Sequence, residues 1–380
     1  MDHQRFSRID LKEIPTPCYL VDEELLENNL KLLERVQQDS GRRILLALKA
    51  FSMFSTFPLI RRYLRGVSAS SPHEARLGKE EFKGEVHTYA PAYSEADMDE
   101  LVQISDVLIF NSFGQWGRYR SRIPNSIRCG LRINPGYSEI KVDLYNPCAK
   151  KSRLGIVRSQ FEGIPEGISG LHFHAMCEQD ADTLERIMEI VERDFSSFLH
   201  QIDWINLGDG HHITRPGYNV DLLIRIIRNI REKYGLEVFL EPGEAVALNC
   251  GILVASVIDI VENDIRIAIL DTSAEAHMPD VLAMPYRPEI IGAAQPDKSQ
   301  HTYRLAGPTC LAGDVIGDYS FDEPLLPGSK LVFLDMAHYS MVKNNTFNGV
   351  CLPSILIQDK LNRTRIVRQF KYEDYKSRLS

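Results

Sequence analysis

The chain has no run approaching the roughly 20 consecutive apolar residues that a membrane-spanning helix needs, and its opening residues do not resemble a secretion signal. It is expected to be cytoplasmic, with no membrane partner. It also lacks any lysine- or arginine-rich run, and its formal net charge is -8. These absences argue against a nucleic-acid surface and leave small charged metabolites as partners. No C-x-x-C pair occurs, and seven cysteines is an odd number, which suits free thiols better than a disulfide framework. Low-complexity segments are lacking, and the one repeat is an alternation of apolar runs with amphipathic stretches.

That alternation is the main content of the sequence. The runs Ile44–Leu48, Val67–Ala69, Val86–Thr88, Val107–Phe110, Ile127–Ile133, Ile168–Phe173, Ile202–Leu207 and Leu236–Leu240 end at Lys49, Ser70, Tyr89, Asn111, Asn134, His174, Gly208 and Glu241. Helical periodicity fills most of the intervals, as in Asp182–Leu199 and Asp221–Tyr234. Repeated strand–helix units predict an α/β fold with a parallel sheet, closed as a TIM-like (β/α)8 barrel whose strand ends carry the chemistry. At 380 residues the chain exceeds the roughly 250 of one such barrel. After Glu241 the runs Gly251–Glu262, Ile265–Asp271, Lys330–Asp335 and Ser354–Gln358 are separated by turns rather than helices. The expected organisation is a barrel over 26–246 and a mostly antiparallel β-sandwich or β-barrel domain over 1–25 and 247–380. The strand-like Thr16–Asp22 is assigned to that second domain.

A lysine ending a strand of Ile, Leu and Ala either snorkels to solvent or meets a cavity, where a partly desolvated amine can form a Schiff base with a carbonyl. His172 and His174 lie on one strand face. That spacing would suit a metal, but no matching carboxylate or cysteine set accompanies it, so no metal is expected. The remaining readings are satisfied core histidines or, for His174, a flat ring stacked on a planar cofactor. Leu207–Gly210 (LGDG) makes a turn whose backbone amides can approach an anion, and many αβ proteins carry such turns with nothing bound. Glu241 opens an EPGE segment at the last strand end, where a carboxylate can hold a proton on a ring nitrogen. In the second domain, Gly307–Asp314 (GPTCLAGD) and Asp335–Ser340 (DMAHYS) read equally as surface turns and as site segments.

Taken in order, Thr16–Asp22, Ala47–Ala50, Arg132–Gly136, Ser152–Gly155, Gly170–Glu178, Leu207–Gly210, Glu241–Gly243 and Gly307–Cys310 resemble the fold-type III pyridoxal-phosphate decarboxylases. This alanine-racemase-like group includes the ornithine and diaminopimelate decarboxylases, and the resemblance covers nearly the whole chain. It implies pyridoxal 5'-phosphate held covalently by Lys49, with His174 stacked on its ring and Glu241 paired with the ring nitrogen. Gly208, Gly210, Gly243 and the Tyr339 hydroxyl would hold the phosphate. Cys310 and Asp314 would complete the site of a neighbouring subunit in a homodimer with shared active sites. Where the relatives carry arginine after the EPG turn this chain has Glu244, which weakens phosphate binding and places an extra carboxylate beside the cofactor. Asp271 and Asp280 add acidic groups where the family recognises a distal amine, and Pro279 favours a loop there. The expected reaction is decarboxylation of a carboxylated polyamine in polyamine biosynthesis. The alternatives are a diaminopimelate or other basic amino-acid decarboxylase, and a non-catalytic cofactor- or polyamine-binding protein.

Overall fold

The structure, a computed structural model, describes residues 3–7, 9–41 and 43–380. The chain divides into two compact units, one comprising 27–246 and the other 1–26 with 247–380. In the first, eight parallel strands form a ring: Arg43–Ala47, Gly66–Ala69, Glu85–Tyr89, Val107–Phe110, Arg128–Asn134, Gly170–His172, Trp204–Asn206 and Glu237–Leu240. Each pairs with the next, and the last closes on the first through Phe239 beside Arg43 and Leu240 beside Ile44. Each strand coincides with one apolar run of the sequence. The two-residue strand Ile156–Val157 pairs with the fifth strand outside the ring.

The crossover helices follow from their spacing. Ala181–Leu199 buries Leu184, Ile187, Met188, Val191, Phe195 and Leu199, and Val220–Tyr234 buries Leu223, Ile226, Ile227, Ile230 and Tyr234. Asn219 starts the second of these by accepting the Leu222 amide hydrogen at 3.0 Å, and Gly235 stops it with φ 74°. Inside the ring, Leu45, Val107, Ile109, Trp204 and Phe239 form a packed cluster. Trp204 dictates the neighbouring strands, because a Cβ at Gly170 would lie 2.0 Å from its indole and one at Gly130 2.4 Å from it. Its Nε1 donates to Ser169 Oγ at 3.0 Å, so the buried polar edge is satisfied.

The second unit is a nine-stranded sheet, mostly antiparallel. The long strand Gly251–Asn263 pairs antiparallel with Cys18–Asp22, Ile265–Leu270 and Lys330–Leu334. Parallel pairs join Cys18–Asp22 to Ser354–Gln358 and Ile265–Leu270 to His301–Ala306. The strands His301–Ala306, Val315–Phe321 and Thr364–Arg368 lie outside the runs read from sequence. Charged residues such as Arg304 and Asp318 interrupt the first two, and these residues pair with one another across the strands at 2.8 Å. Pro279 does not make a loop: it caps the short helix Asp280–Ala283, since a proline at a helix start gives up only an amide that has no intrahelical acceptor. Among the described residues no helix is long and apolar enough to cross a membrane.

Candidate active site at the barrel strand ends

Lys49, His174, Gly208 and Glu241 follow the first, sixth, seventh and eighth barrel strands, so the ring brings them to one end of the barrel. Glu241 is buried, and Asn206 Nδ2 donates to its Oε1 at 2.7 Å. The Asn206 oxygen accepts the Gly208 amide hydrogen at 2.9 Å, tying the carboxylate to the glycine turn. His172 Nε2 faces Glu241 Oε2 at 3.6 Å, and neither ring nitrogen of His172 makes a hydrogen bond. Burial by itself would raise the Glu241 pKa, but His172, Asn206 and His87 outweigh it and hold the group down at about 2. Burial lowers the pKa of His172, and the neighbouring Glu241 carboxylate acts against that shift.

His174 is fixed by the seventh-strand turn, its Nδ1 accepting the Asp209 amide hydrogen at 2.9 Å. Arg132 donates to the His174 carbonyl at 3.3 Å and lies 4.5 Å from the centre of the Tyr89 ring. Burial, then the charges of Lys49 and Arg132, push His174 well below the usual histidine range. A neutral ring of set orientation results, since the acceptor at Nδ1 puts the proton on Nε2.

The glycine turns pack at contact. Gly208 has φ 76° and Gly210 φ 88°, and a Cβ at either would meet a backbone carbonyl oxygen, that of Phe173 at 2.4 Å or of Met176 at 2.2 Å. At Gly243 a Cβ would lie 2.5 Å from that of Ala50. The Gly210 and Gly243 amides converge on one atom, Asp209 Oδ1, at 2.6 and 3.2 Å, while Asp209 Oδ2 lies 3.1 Å from Lys49 Nζ. Sequence reading passed over Asp209, Asn206 and His87; the first lies inside the noted LGDG turn, and its strand-end placement was the available signal. Glu74 was also passed over. Its carboxylate accepts the Ser70 amide at 2.6 Å, and burial raises its pKa. Glu244 lies 3.4 Å from His212 Nε2.

The remaining candidates belong to the sheet unit. Asp314 is buried, and its carboxylate is taken by Ser273 Oγ at 2.8 Å, the Ala274 amide at 2.8 Å and Thr309 Oγ1 at 2.6 Å. It therefore pins the exposed turn bearing Cys310 to the helix Ala274–His277. Asp271 accepts the Ser256 amide hydrogen at 2.8 Å. Asp280 pairs with Lys343 Nζ at 2.7 Å. Tyr339 is half-buried with φ 46°, at the start of the helix Ser340–Lys343. Among the described residues, no group of three or more histidines, cysteines or acids is placed to hold a metal.

A parallel eight-stranded barrel with a lysine, a histidine and a buried carboxylate at its strand ends, and a mostly antiparallel sheet unit, matches the architecture of the fold-type III pyridoxal-phosphate decarboxylases. The chain matches the family described as "Pyridoxal-dependent decarboxylase, C-terminal sheet domain" over residues 18–337 and belongs to it. It is 44% identical to the carboxynorspermidine/carboxyspermidine decarboxylase of Campylobacter jejuni, over 97% of this chain and 99% of that one. It is 46% identical to the carboxyaminopropylagmatine decarboxylase of a Synechocystis species, over 97% and 96% of the two chains. The crystal structure of carboxynorspermidine decarboxylase from C. jejuni, complexed with norspermidine, superposes with a TM-score of 0.90 at 43% identity, covering 96% of this chain and all of that one. The protein is thus a carboxy-lyase of a pyridoxal-dependent family.

Proposed function

We propose that the chain binds pyridoxal 5'-phosphate through Lys49 and decarboxylates carboxynorspermidine, carboxyspermidine or both, releasing norspermidine or spermidine. The site suits that cofactor. A carboxylate held low by its neighbours fits a protonated pyridine nitrogen, the oriented His174 fits a ring face, and the amides of Gly210 and Gly243 fit a phosphate oxygen. The observation that carries the reading is the convergence of Lys49, His174 and Glu241 at the strand ends.

Bound pyridoxal phosphate supplies an electron sink for the pair released as carbon dioxide departs. Glu241 would hold a proton on the ring nitrogen. His172 and Asn206 flank that carboxylate, and His174 would lie against the ring face. Cys310 projects from an exposed turn anchored by Asp314, which suits completion of a neighbouring subunit's site in a homodimer. Tyr339 would contribute its hydroxyl to the phosphate. Glu244, Asp280 and Asp271 would favour a substrate with several ammonium groups, and Asp280 would exchange Lys343 for one of them.

The 46% identity to the Synechocystis enzyme supports a second reading, in which the distal group is a guanidinium. Measuring kcat/KM on carboxynorspermidine, carboxyspermidine, carboxyaminopropylagmatine, diaminopimelate and ornithine tests both. A carboxylated polyamine should lead the series; preference for diaminopimelate or ornithine would refute the proposal.

A further inference from the structure

Asp209 touches three parts of the candidate site together. Its Oδ1 accepts from the Gly210 amide at 2.6 Å and the Gly243 amide at 3.2 Å, its Oδ2 meets Lys49 Nζ at 3.1 Å, and its own amide donates to His174 Nδ1 at 2.9 Å. The side chain is 6% exposed. Two backbone amides aimed at one point form a nest for an anionic oxygen, and here that oxygen belongs to the protein.

We infer that Asp209 is an internal anion that competes with a phosphate group for the Gly210 and Gly243 amides, so that phosphate binding requires this carboxylate to swing out. The inference rests on the proposed cofactor role of this site. Two anions cannot share the nest, because a carboxylate and a phosphate at contact in a site this buried repel strongly. The exchange has a second effect. A carboxylate that leaves the nest also leaves Lys49 Nζ, freeing the amine from its ion-pair partner to meet the carbonyl of the incoming molecule. Phosphate recognition and access to Lys49 are thereby one event, and a pyridoxal without phosphate lacks the group that triggers it.

The test uses the full chain, freed of cofactor with hydroxylamine, and the variants Asp209→Ala and Asp209→Asn. Calorimetric titration with inorganic phosphate alone, with pyridoxal phosphate and with pyridoxal measures the competition directly. Both phosphate-bearing ligands should bind Asp209→Ala roughly tenfold or more tightly than the parent, with Asp209→Asn between them, because a charged hydrogen-bonding competitor has been removed. Pyridoxal affinity should change far less. If inorganic phosphate binds both variants no better than the parent, the competition does not exist. Melting temperatures show whether Asp209→Ala folds, and the isosteric Asp209→Asn decides the matter if it does not. Borohydride trapping on the parent separates this inference from the reading beneath it: reduced cofactor on a lysine other than Lys49 would refute the cofactor site, while the phosphate titrations would still judge Asp209.

Discussion

At the scale of single residues, the site is governed by what surrounds each charge rather than by the charge itself. Glu241 stays ionised in a buried place because His172 and Asn206 turn towards it. Replacing His172 by leucine removes the imidazole that approaches Glu241 Oε2 at 3.6 Å, and the Glu241 pKa should rise. Titration of the Glu241 carboxyl followed by infrared or NMR spectroscopy should show a higher pKa in His172→Leu than in the parent, with His172→Gln, which supplies an amide donor, in between. An unmoved Glu241 titration would assign His172 to packing alone. Asp280 and Glu244 are judged by selectivity. Asp280→Asn or Glu244→Gln should lower kcat/KM for the carboxylated polyamine roughly 10- to 150-fold, leaving cofactor occupancy intact. Lost occupancy in Glu244→Gln would instead place that side chain in the service of the phosphate turn.

At the scale of elements, the barrel is set by one large residue and two absent side chains. Trp204 occupies the interior where the fifth and sixth strands carry Gly130 and Gly170. Gly170→Ala should destabilise the protein by at least about 1–3 kcal/mol, the usual cost of overpacking, read as a lower urea midpoint at unchanged m-value. Neutral behaviour would mean that the indole can move aside. The sheet unit shows the same dependence on particular contacts. The turn bearing Cys310 keeps its place through the inward carboxylate of Asp314, so Asp314→Asn should loosen that turn, whereas Cys310→Ala should leave it folded.

At the scale of the molecule, two measurements probe assembly and acid sensitivity. If Cys310 completes the partner's site, mixing equal amounts of Lys49→Ala and Cys310→Ala chains under subunit exchange should restore about a quarter of parental activity, since half the dimers are mixed and each holds one intact site. No recovery would refute sharing. Burial lowers the pKa of His172, His174 and His211, and that of His277 to about 4, from an ordinary value of 6.5. Below pH 6.5 the unfolded chain takes up protons that the folded chain refuses, so this contribution to stability is complete above that value and is lost as the pH falls. Glu74 and Asp271, whose pKa values burial raises, act in the opposite sense. The decisive quantity is therefore the change in slope. The urea midpoint of His277→Gln should fall less steeply between pH 7 and pH 5 than that of the parent, and an identical slope would refute the assignment.

Much of the fold was legible in the chain because it is written in local periodicity. Eight apolar runs at strand length, spaced by amphipathic stretches, leave few closures other than a parallel barrel, and strand ends such as Lys49, His174 and Glu241 then share one rim. The strands His301–Ala306 and Val315–Phe321 escaped that reading because their partners across the sheet, not their own apolar content, stabilise them. The engagement of side chains was likewise invisible. Asp314 turned inward, Asp280 paired with Lys343, and Asp209 set across two backbone amides all depend on groups distant in sequence. Hydrophobic patterning acts on neighbours along the chain and survives in the sequence, whereas the hydrogen-bonding partners of a carboxylate are chosen only when folding brings separate elements together.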